Sequence, residues 1–541
     1  MATRADPAGL DTPPPPFTVG SLVRQTPALV WALTALHVLV LVGYSVVVPT
    51  YRAPDEALHV DLVLMVRDQL AGHESFGWPP ETQRHIADRV DASLRYLRIP
   101  EGPRRQTVGQ ARLRGDRPSF DELGSAEERT ELTRNQLVQH PPTYYAIAAV
   151  WLALPPRSHD WSFDRQVAHL RLLSVVLLMP LPLLLYATGM LLSHRRPVAL
   201  AAAIAALGVP QFTYMGAVVN NDSLLVAAGA VLTVPLLHAA RGDLSARTAA
   251  WAGAALGAAL AAKGLALAIV PWVGLAYLLG WRRYGGRLPW RCALVTSAVA
   301  MLTGGWWWLR RLLTVGAVHV RGTVYTSDPT FTPDPAGWVS DAFVPAMLES
   351  WWASFVWTGP VLPYPLVLVP AAVLVVGIVA ALSARGPARV SRADCALLLL
   401  PSLLLLALTA WASYTTYART GQPVGIQGRY LYSGFSGLVA SVAFGYATLM
   451  GRHERLLPIS LYAAAAALQG LAVWHMLAHY WDLDVAGLVP SVLGVMAWSP
   501  WPQWLLAALG SLTAVLTTMV ALGAVHQTRR DARQEQSSEL D

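Results

Sequence analysis

This chain has little charge. Only 13% of its 541 residues are Asp, Glu, Lys or Arg, against 54% hydrophobic, and that balance excludes a string of soluble domains. Lysine is almost missing: Lys263 stands alone beside 39 arginines, so the formal net charge of +7 is nearly all guanidinium. With abundant Ala, Leu and Val, this looks like the coding bias of a GC-rich genome. Cysteine is scarce too. Cys292 and Cys395 both fall at predicted cytoplasmic helix ends, which excludes a disulfide framework. There is no Gly-rich phosphate loop, no zinc-type His/Cys spacing and no Gly-x-Ser-x-Gly elbow, so nucleotide, zinc and serine-hydrolase chemistries have no motif to rest on. No cofactor is predicted, no motif supports a divalent cation, and nucleic acid is not expected as a partner.

What is present is apolar length. Runs long enough to cross a bilayer recur near residues 28–49, 168–192, 198–217, 222–240, 293–312, 365–383, 395–413, 430–450, 457–478 and 504–524, each close to the roughly 20 residues that a spanning helix needs. The stretch 248–280 is too long for one span and carries Lys263-Gly264 at its middle, so it reads as two helices meeting at one surface. The expected fold is an all-α polytopic membrane protein of about twelve transmembrane helices. Arginine sets the orientation. Arg24, Arg195 with Arg196, Arg241 with Arg247, Arg282 with Arg283 and Arg287, Arg385 with Arg389 and Arg392, Arg452 with Arg455, and Arg529 with Arg530 all fall on one side of that scheme, predicting cytoplasmic termini in the plasma membrane. Residues 1–26 read as a cytoplasmic tail, 27–450 as the main membrane module, 451–525 as C-terminal spans and 526–541 as a second tail.

The irregular chain then lies outside, chiefly in loops 51–167 and 313–364. Segment 142–154, flanked by Pro141-Pro142 and Pro155-Pro156, is apolar but too short to span, and reads as a juxtamembrane helix. Tryptophans 306–308, 351, 352 and 357 suggest an interfacial belt, with sugar stacking a second use. The arginines from Arg84 to Arg117 read as a solvated basic face.

Pro54-Asp55-Glu56-Ala57-Leu58-His59 begins just after the first span, setting two adjacent carboxylates at the mouth of a membrane helix. Such a pair suits general-base work. Its plain alternative is capping, because Asp55 sits where an N-cap would open a helix over Glu56–Leu70. Lys263 at a helix end either snorkels to the interface or holds a phosphate as a compact point charge. Arg429, in Gln427-Gly428-Arg429-Tyr430, either anchors in lipid headgroups or offers a planar fork to the same anion. Asn220-Asn221-Asp222-Ser223 is as readily a capped turn as a substrate contact. In the topology proposed, Asp55, Glu56, His59, His140, Asn220, Asn221, Asp222, Lys263 and Arg429 converge on the outer face.

Taken in order, Pro54-Asp55-Glu56 with His59, His140-Pro141-Pro142-Thr143-Tyr144-Tyr145, Val219-Asn220-Asn221-Asp222 and Ala262-Lys263-Gly264 resemble the membrane glycosyltransferases of the GT-C superfamily. Gly425-Ile426-Gln427-Gly428-Arg429-Tyr430 looks more narrowly like the bacterial membrane proteins grouped as domain of unknown function 2142. The resemblance spans about residues 30–450. It implies transfer of a sugar from a polyprenyl-phosphate carrier at the outer face to a glycan, glycolipid or protein of the cell envelope, with the acid after the first helix as base. The first outer loop has no Asp-x-Asp, so the metal dependence of the oligosaccharyltransferase branch does not carry over.

The mechanism expected on these grounds is inverting direct displacement, with Asp55 or Glu56 as base and Lys263 and Arg429 on the departing lipid phosphate. Arg52, His59, His140, Tyr144, the Asn220–Asp222 turn and Tyr430 would line the substrates. The alternatives are a transporter or flippase of lipid-linked sugars, and a ligase transferring a whole glycan. The topology has its own test. A cysteine introduced near Ser119 or Ser327 should react with an impermeant thiol reagent on intact cells and one near Ser383 should not; the opposite labelling pattern would overturn the outer-face site.

Overall fold

The computed structural model describes residues 20, 24, 26–75, 77–79, 84–97, 117–123, 134–285, 288–318, 326–352, 354–355, 363–384 and 392–540. Expectations that fall on Arg98, Arg104, Arg105, Arg112, Arg114, Arg287, Arg385, Arg389 and Trp357 lie outside the described residues.

The architecture is all-α, and the only strand-like pairings among the described residues are two isolated bridges, His85 to Arg134 and Ser119 to Ser162. An apolar run in a bilayer must satisfy its backbone polar groups internally, and a helix is the local way to do so. Among the described residues, nine segments are long and apolar enough to cross a membrane, or ten if the bent pair Arg196–Leu207 and Pro210–Gly216 is one span. Two features account for the difference from the expected twelve. The stretch Gly428–Tyr480 counts once, but its 53 residues are more than twice what one crossing needs, and it divides into the helices Phe435–Met450 and Leu457–Tyr480 at the turn Gly451–Leu456, where Gly451 takes a positive φ of 53°. The helix Ala246–Ala262 has only 17 residues before the chain breaks at Lys263. Large apolar side chains stand exposed on the outward faces, among them Val369, Val375 and Val379 of Tyr364–Ser383 and Val515 and Leu522 near the end of the chain. Such surface belongs against lipid, and the protein is a multi-pass membrane protein.

The 62° bend of the paired segment has a local cause. Pro210 supplies no N–H, and the residue before it, Val209, is pushed to extended backbone (φ −124°, ψ 100°) as a pre-proline position requires. The carbonyl of Leu207 is freed at the bend and accepts from Gln469 Nε2 at 2.9 Å. Gln469 also donates to Thr213 Oγ1 at 2.9 Å and accepts from the Tyr44 hydroxyl at 2.5 Å. One buried amide thus ties the bend to the first span.

The segment after the first span is organised by charge. The helix Glu56–Leu70 forms with the predicted bounds and packs on the short helix Thr143–Ala153. Asp61 on that helix accepts a two-pronged contact from Arg84 at 2.9 Å per prong, the Asn135 amide at 2.8 Å and the Ala87 N–H at 2.9 Å. Asp68 pairs with Arg67 at 2.9 Å and with Arg89. Arg117 is fully buried on Asp164 and donates to the Trp498 carbonyl at 2.9 Å. The expected solvated basic face is therefore corrected at Arg84, Arg89 and Arg117, which hold the loop down through buried carboxylates. Ser119 is buried as well, so Ser327, which is exposed, is the labelling site to use. The tryptophan belt is corrected too: Trp307, Trp308, Trp351 and Trp352 are buried within the protein, and the Trp308 indole donates to the Leu260 carbonyl at 2.9 Å.

Arg171, in the helix Phe163–Leu178, braces the end of the first span. It donates to the carbonyls of Ser45, Val48 and Pro49 at 2.8, 2.6 and 3.0 Å, groups that the terminating helix leaves without partners. The same guanidinium grips Glu56 through Nε at 2.8 Å and Nη2 at 2.7 Å. Breaking a buried pair leaves one charge stranded, at a cost of about 3–5 kcal/mol. Arg171→Ala and Glu56→Gln should each lower the thermal midpoint of the detergent-solubilised protein by a correspondingly large step; midpoints within error of the wild type would remove the bracing role.

Candidate functional site

Four chain segments converge at one end of the bundle: the loop before Glu56–Leu70, the start of the helix Asp222–Ala240, the break at Lys263 and the turn of Gly428–Gly434. Asp55 occupies the capping position, but its backbone is left-handed (φ 58°, ψ 8°) and its side chain caps nothing. Aspartate tolerates this region better than most residues, at a cost. The consequence is that Asp55 and Glu56, adjacent in sequence, point into different surroundings.

Glu56 turns inward. Besides Arg171, its oxygens accept from the Tyr51 N–H at 2.9 Å and the Val219 N–H at 3.1 Å. Four donors occupy the roughly four lone-pair directions of a carboxylate, and its side chain is wholly buried. Asp55 turns to Arg429, whose Nη2 lies 3.3 Å from Oδ2. The same guanidinium has Nε 3.7 Å from Asp222 Oδ2 and Nη1 3.7 Å from the Met215 sulfur. Lys263 Nζ donates to the other Asp222 oxygen at 2.7 Å. Lys263 and Arg429 thus share one carboxylate, and Tyr430 lies beside both, its ring 5.0 Å from the ammonium and 5.9 Å from the guanidinium carbon, in reach of cation–π attraction.

The local fold explains why these groups meet. Lys263 is extended (φ −161°, ψ 148°) between two helical segments, which releases its side chain sideways. Asn221 Nδ2 donates to the Ala262 carbonyl at 3.0 Å, tying that break to the start of the Asp222 helix. Gly428 sits where a Cβ would fall 2.6 Å from both the Met347 carbonyl and the Trp351 nitrogen. Only a glycine lets the turn press against the helix Val344–Trp352, and its N–H donates to Ser350 Oγ at 2.7 Å.

The remaining sequence candidates divide. Asn220 is spent on its own turn: Nδ2 donates to the Met215 and Val218 carbonyls, and Oδ1 accepts from Ser223 N at 2.9 Å. It is the capped turn, not an open contact. His59 lies 3.2 Å from the Tyr145 hydroxyl and stacks on that ring. Tyr144 is buried, its hydroxyl beside Ser174 and the Asn220 backbone. His140 is buried at the end of Gln136–Gln139. Arg52 approaches Tyr214 and Tyr480, and its carbonyl accepts from the Tyr214 hydroxyl at 3.1 Å. Sequence reasoning missed Arg171, Gln211, Met215 and Glu349. Arg171 left a signal, since it is a charge within an expected span. Among the described residues no group of three or more His, Cys, Asp or Glu side chains is arranged to hold a metal ion.

Residues 38–433 match the family described as predicted membrane protein (DUF2142), and the chain belongs to it. No curated protein sequence matches. Among solved structures the chain is similar to ArnT from Cupriavidus metallidurans in the apo state, with 14% identity, TM-score 0.46, and coverage of 92% of this chain and 76% of that one. The same protein bound to undecaprenyl phosphate gives 15%, 0.45, 93% and 78%. The apo oligosaccharyltransferase of Archaeoglobus fulgidus gives 12%, 0.40, 88% and 56%.

His59 supplies a pH test. Burial, then the nearby Lys263 and Arg429, push its imidazole down to about 3 against the partial offset of Asp222, so it stays neutral in the folded protein while an unfolded chain takes up a proton near pH 6.5. Its contribution to stability is therefore complete above about pH 6.5 and is lost as pH falls toward 3. Thermal midpoints measured stepwise from neutral to acid should fall less steeply in His59→Gln than in the wild type. Parallel curves would dismiss His59 as a source of acid sensitivity.

Proposed function

We propose that this chain is an integral-membrane glycosyltransferase acting at the outer face of the plasma membrane, moving a sugar from a polyprenyl-phosphate donor to a hydroxyl of a cell-envelope acceptor with inversion. The observation that carries the reading is the meeting of Lys263 and Arg429, distant in sequence, on Asp222, with Arg429 also reaching Asp55. Two cations and two carboxylates balance one another without a ligand. A phosphate arriving there has two cations to recruit, in surroundings where each acts more strongly than in water.

Arg429 is the mobile arm of this scheme. Its contact to Asp55, at 3.3 Å, is longer than the 2.7 Å contact of Lys263 to Asp222, and it is the one a phosphate displaces. Asp55 is then released as the base. The acceptor oxygen attacks the anomeric carbon and gives its proton to Asp55; the bond from that carbon to the phosphate oxygen breaks, and its electron pair leaves with the lipid phosphate. No acid is required, because the leaving phosphate carries its charge to Lys263 and Arg429. Glu56 is set apart from this chemistry by Arg171 and two backbone amides, with no lone pair directed at a substrate.

Asp55→Asn should cut transfer by about 10²-fold or more, the usual scale for a missing general base, while retaining undecaprenyl phosphate binding. Lys263→Ala and Arg429→Ala should each weaken that binding, and the double variant should lose less than the summed effects because both serve one group. Near-normal turnover by Asp55→Asn would rule out its role as base, and undecaprenyl phosphate binding indifferent to both cation variants would rule out the phosphate site.

A further inference from the structure

Beside Arg429 opens a cleft of about 220 Å³ that the sequence did not announce. Its walls include Pro54, next to the proposed base, and Gln211, Glu349, Ser350, Gln427 and Arg429. Ser350 is already engaged with the Gly428 N–H and the Ala346 carbonyl. Gln211 is not. Its side chain is buried, with the residue 3% exposed, and among the described residues nothing donates to its Oε1. A buried amide oxygen without a partner is uncommon and asks for a ligand or water to complete it. Glu349, half-buried on the helix Val344–Trp352, has no ion-pair or hydrogen-bond partner among the described residues, and burial raises its carboxyl above the ordinary range.

We propose that this cleft is the subsite for the sugar ring of the donor, held through its hydroxyls by Glu349 and Gln211. The inference rests on the lipid-phosphate reading of Lys263 and Arg429. A sugar joined to a phosphate on Arg429 must occupy space bordering that guanidinium, and the cleft borders it while reaching Pro54 on the side of Asp55. Its chemistry suits the ligand: a carboxyl and an amide together offer both acceptors and donors to neighbouring hydroxyls. Its size suits one monosaccharide unit, being below the roughly 300–1,000 Å³ of pockets for drug-sized molecules.

The test is binding by the full-length protein in nanodiscs, using undecaprenyl phosphate bare or carrying each of a panel of hexoses and pentoses. At least one sugar should bind tenfold or more tightly than the bare lipid, about what one hydrogen bond to a charged group contributes. Glu349→Gln and Gln211→Leu should each erase most of that gain while binding the bare lipid as the wild type does, which also shows that both variants fold. If the gain survives both substitutions, or no sugar produces one, the subsite is wrong while the phosphate reading stands. If the wild type fails to bind even the bare lipid, the phosphate reading falls and the subsite with it.

Discussion

A charge taken out of water must find an opposite charge or a set of dipoles, and in a chain so poor in charge that demand shapes the backbone. Arg429 is the case on which the site depends. Its guanidinium is buried yet reaches two carboxylates, Asp55 and Asp222, from different segments. To receive it, Asp55 adopts left-handed backbone, the chain breaks at Lys263, and Gly428 allows its turn to press against a neighbouring helix. None of these features is favourable alone. Together they close a network in which two positive and two negative groups balance, which is the condition for keeping any of them in a poorly hydrated place.

The two acids of one dipeptide show how geometry divides labour. Glu56 is held by four hydrogen bonds within a fixed frame of carbonyls, amides and Arg171. Asp55 is held by one longer contact to an arginine that has another carboxylate nearby. The first arrangement resists exchange of partners, and the second invites it. An anion competing for Arg429 would disturb Asp55 and leave the brace of the first span intact, so under the proposed mechanism stability and chemistry would fall to neighbouring residues without being coupled through one carboxylate.

Much of this was legible in the sequence because bilayer physics writes itself in long apolar runs and in the placement of arginine. The helix Glu56–Leu70, the short helix after Pro141-Pro142 and the break at Lys263 all appeared where propensity and length put them. The nature of Asp55 was harder to read. N-capping and pairing with Arg429 compete for the same side chain, and only the three-dimensional position of a residue 374 places away decides between them. The basic loop was misread for a related reason: Arg84, Arg89 and Arg117 look like a solvated run until their partners Asp61, Asp68 and Asp164 fold against them. Gln211 and Glu349 carry no local pattern at all, and their interest arises from a cleft assembled by distant segments.

The hydrogen-bond accounting around Asp222 points the same way as the charge accounting. Lys263 carries three N–H donors and spends one on Asp222. Arg429 Nε is buried and makes no hydrogen bond among the described residues, its distance to Asp222 being an ionic contact of 3.7 Å. Donors on Lys263 and at Arg429 Nε are therefore left without a hydrogen-bond acceptor among the described residues, at a place where charges are already balanced. A second carboxylate would satisfy the donors but could not leave. On the reading proposed above, a tetrahedral anion with several oxygens that departs with its lipid would satisfy them only while bound, and such a transient fit is what would separate a site for a substrate from one more buried ion pair.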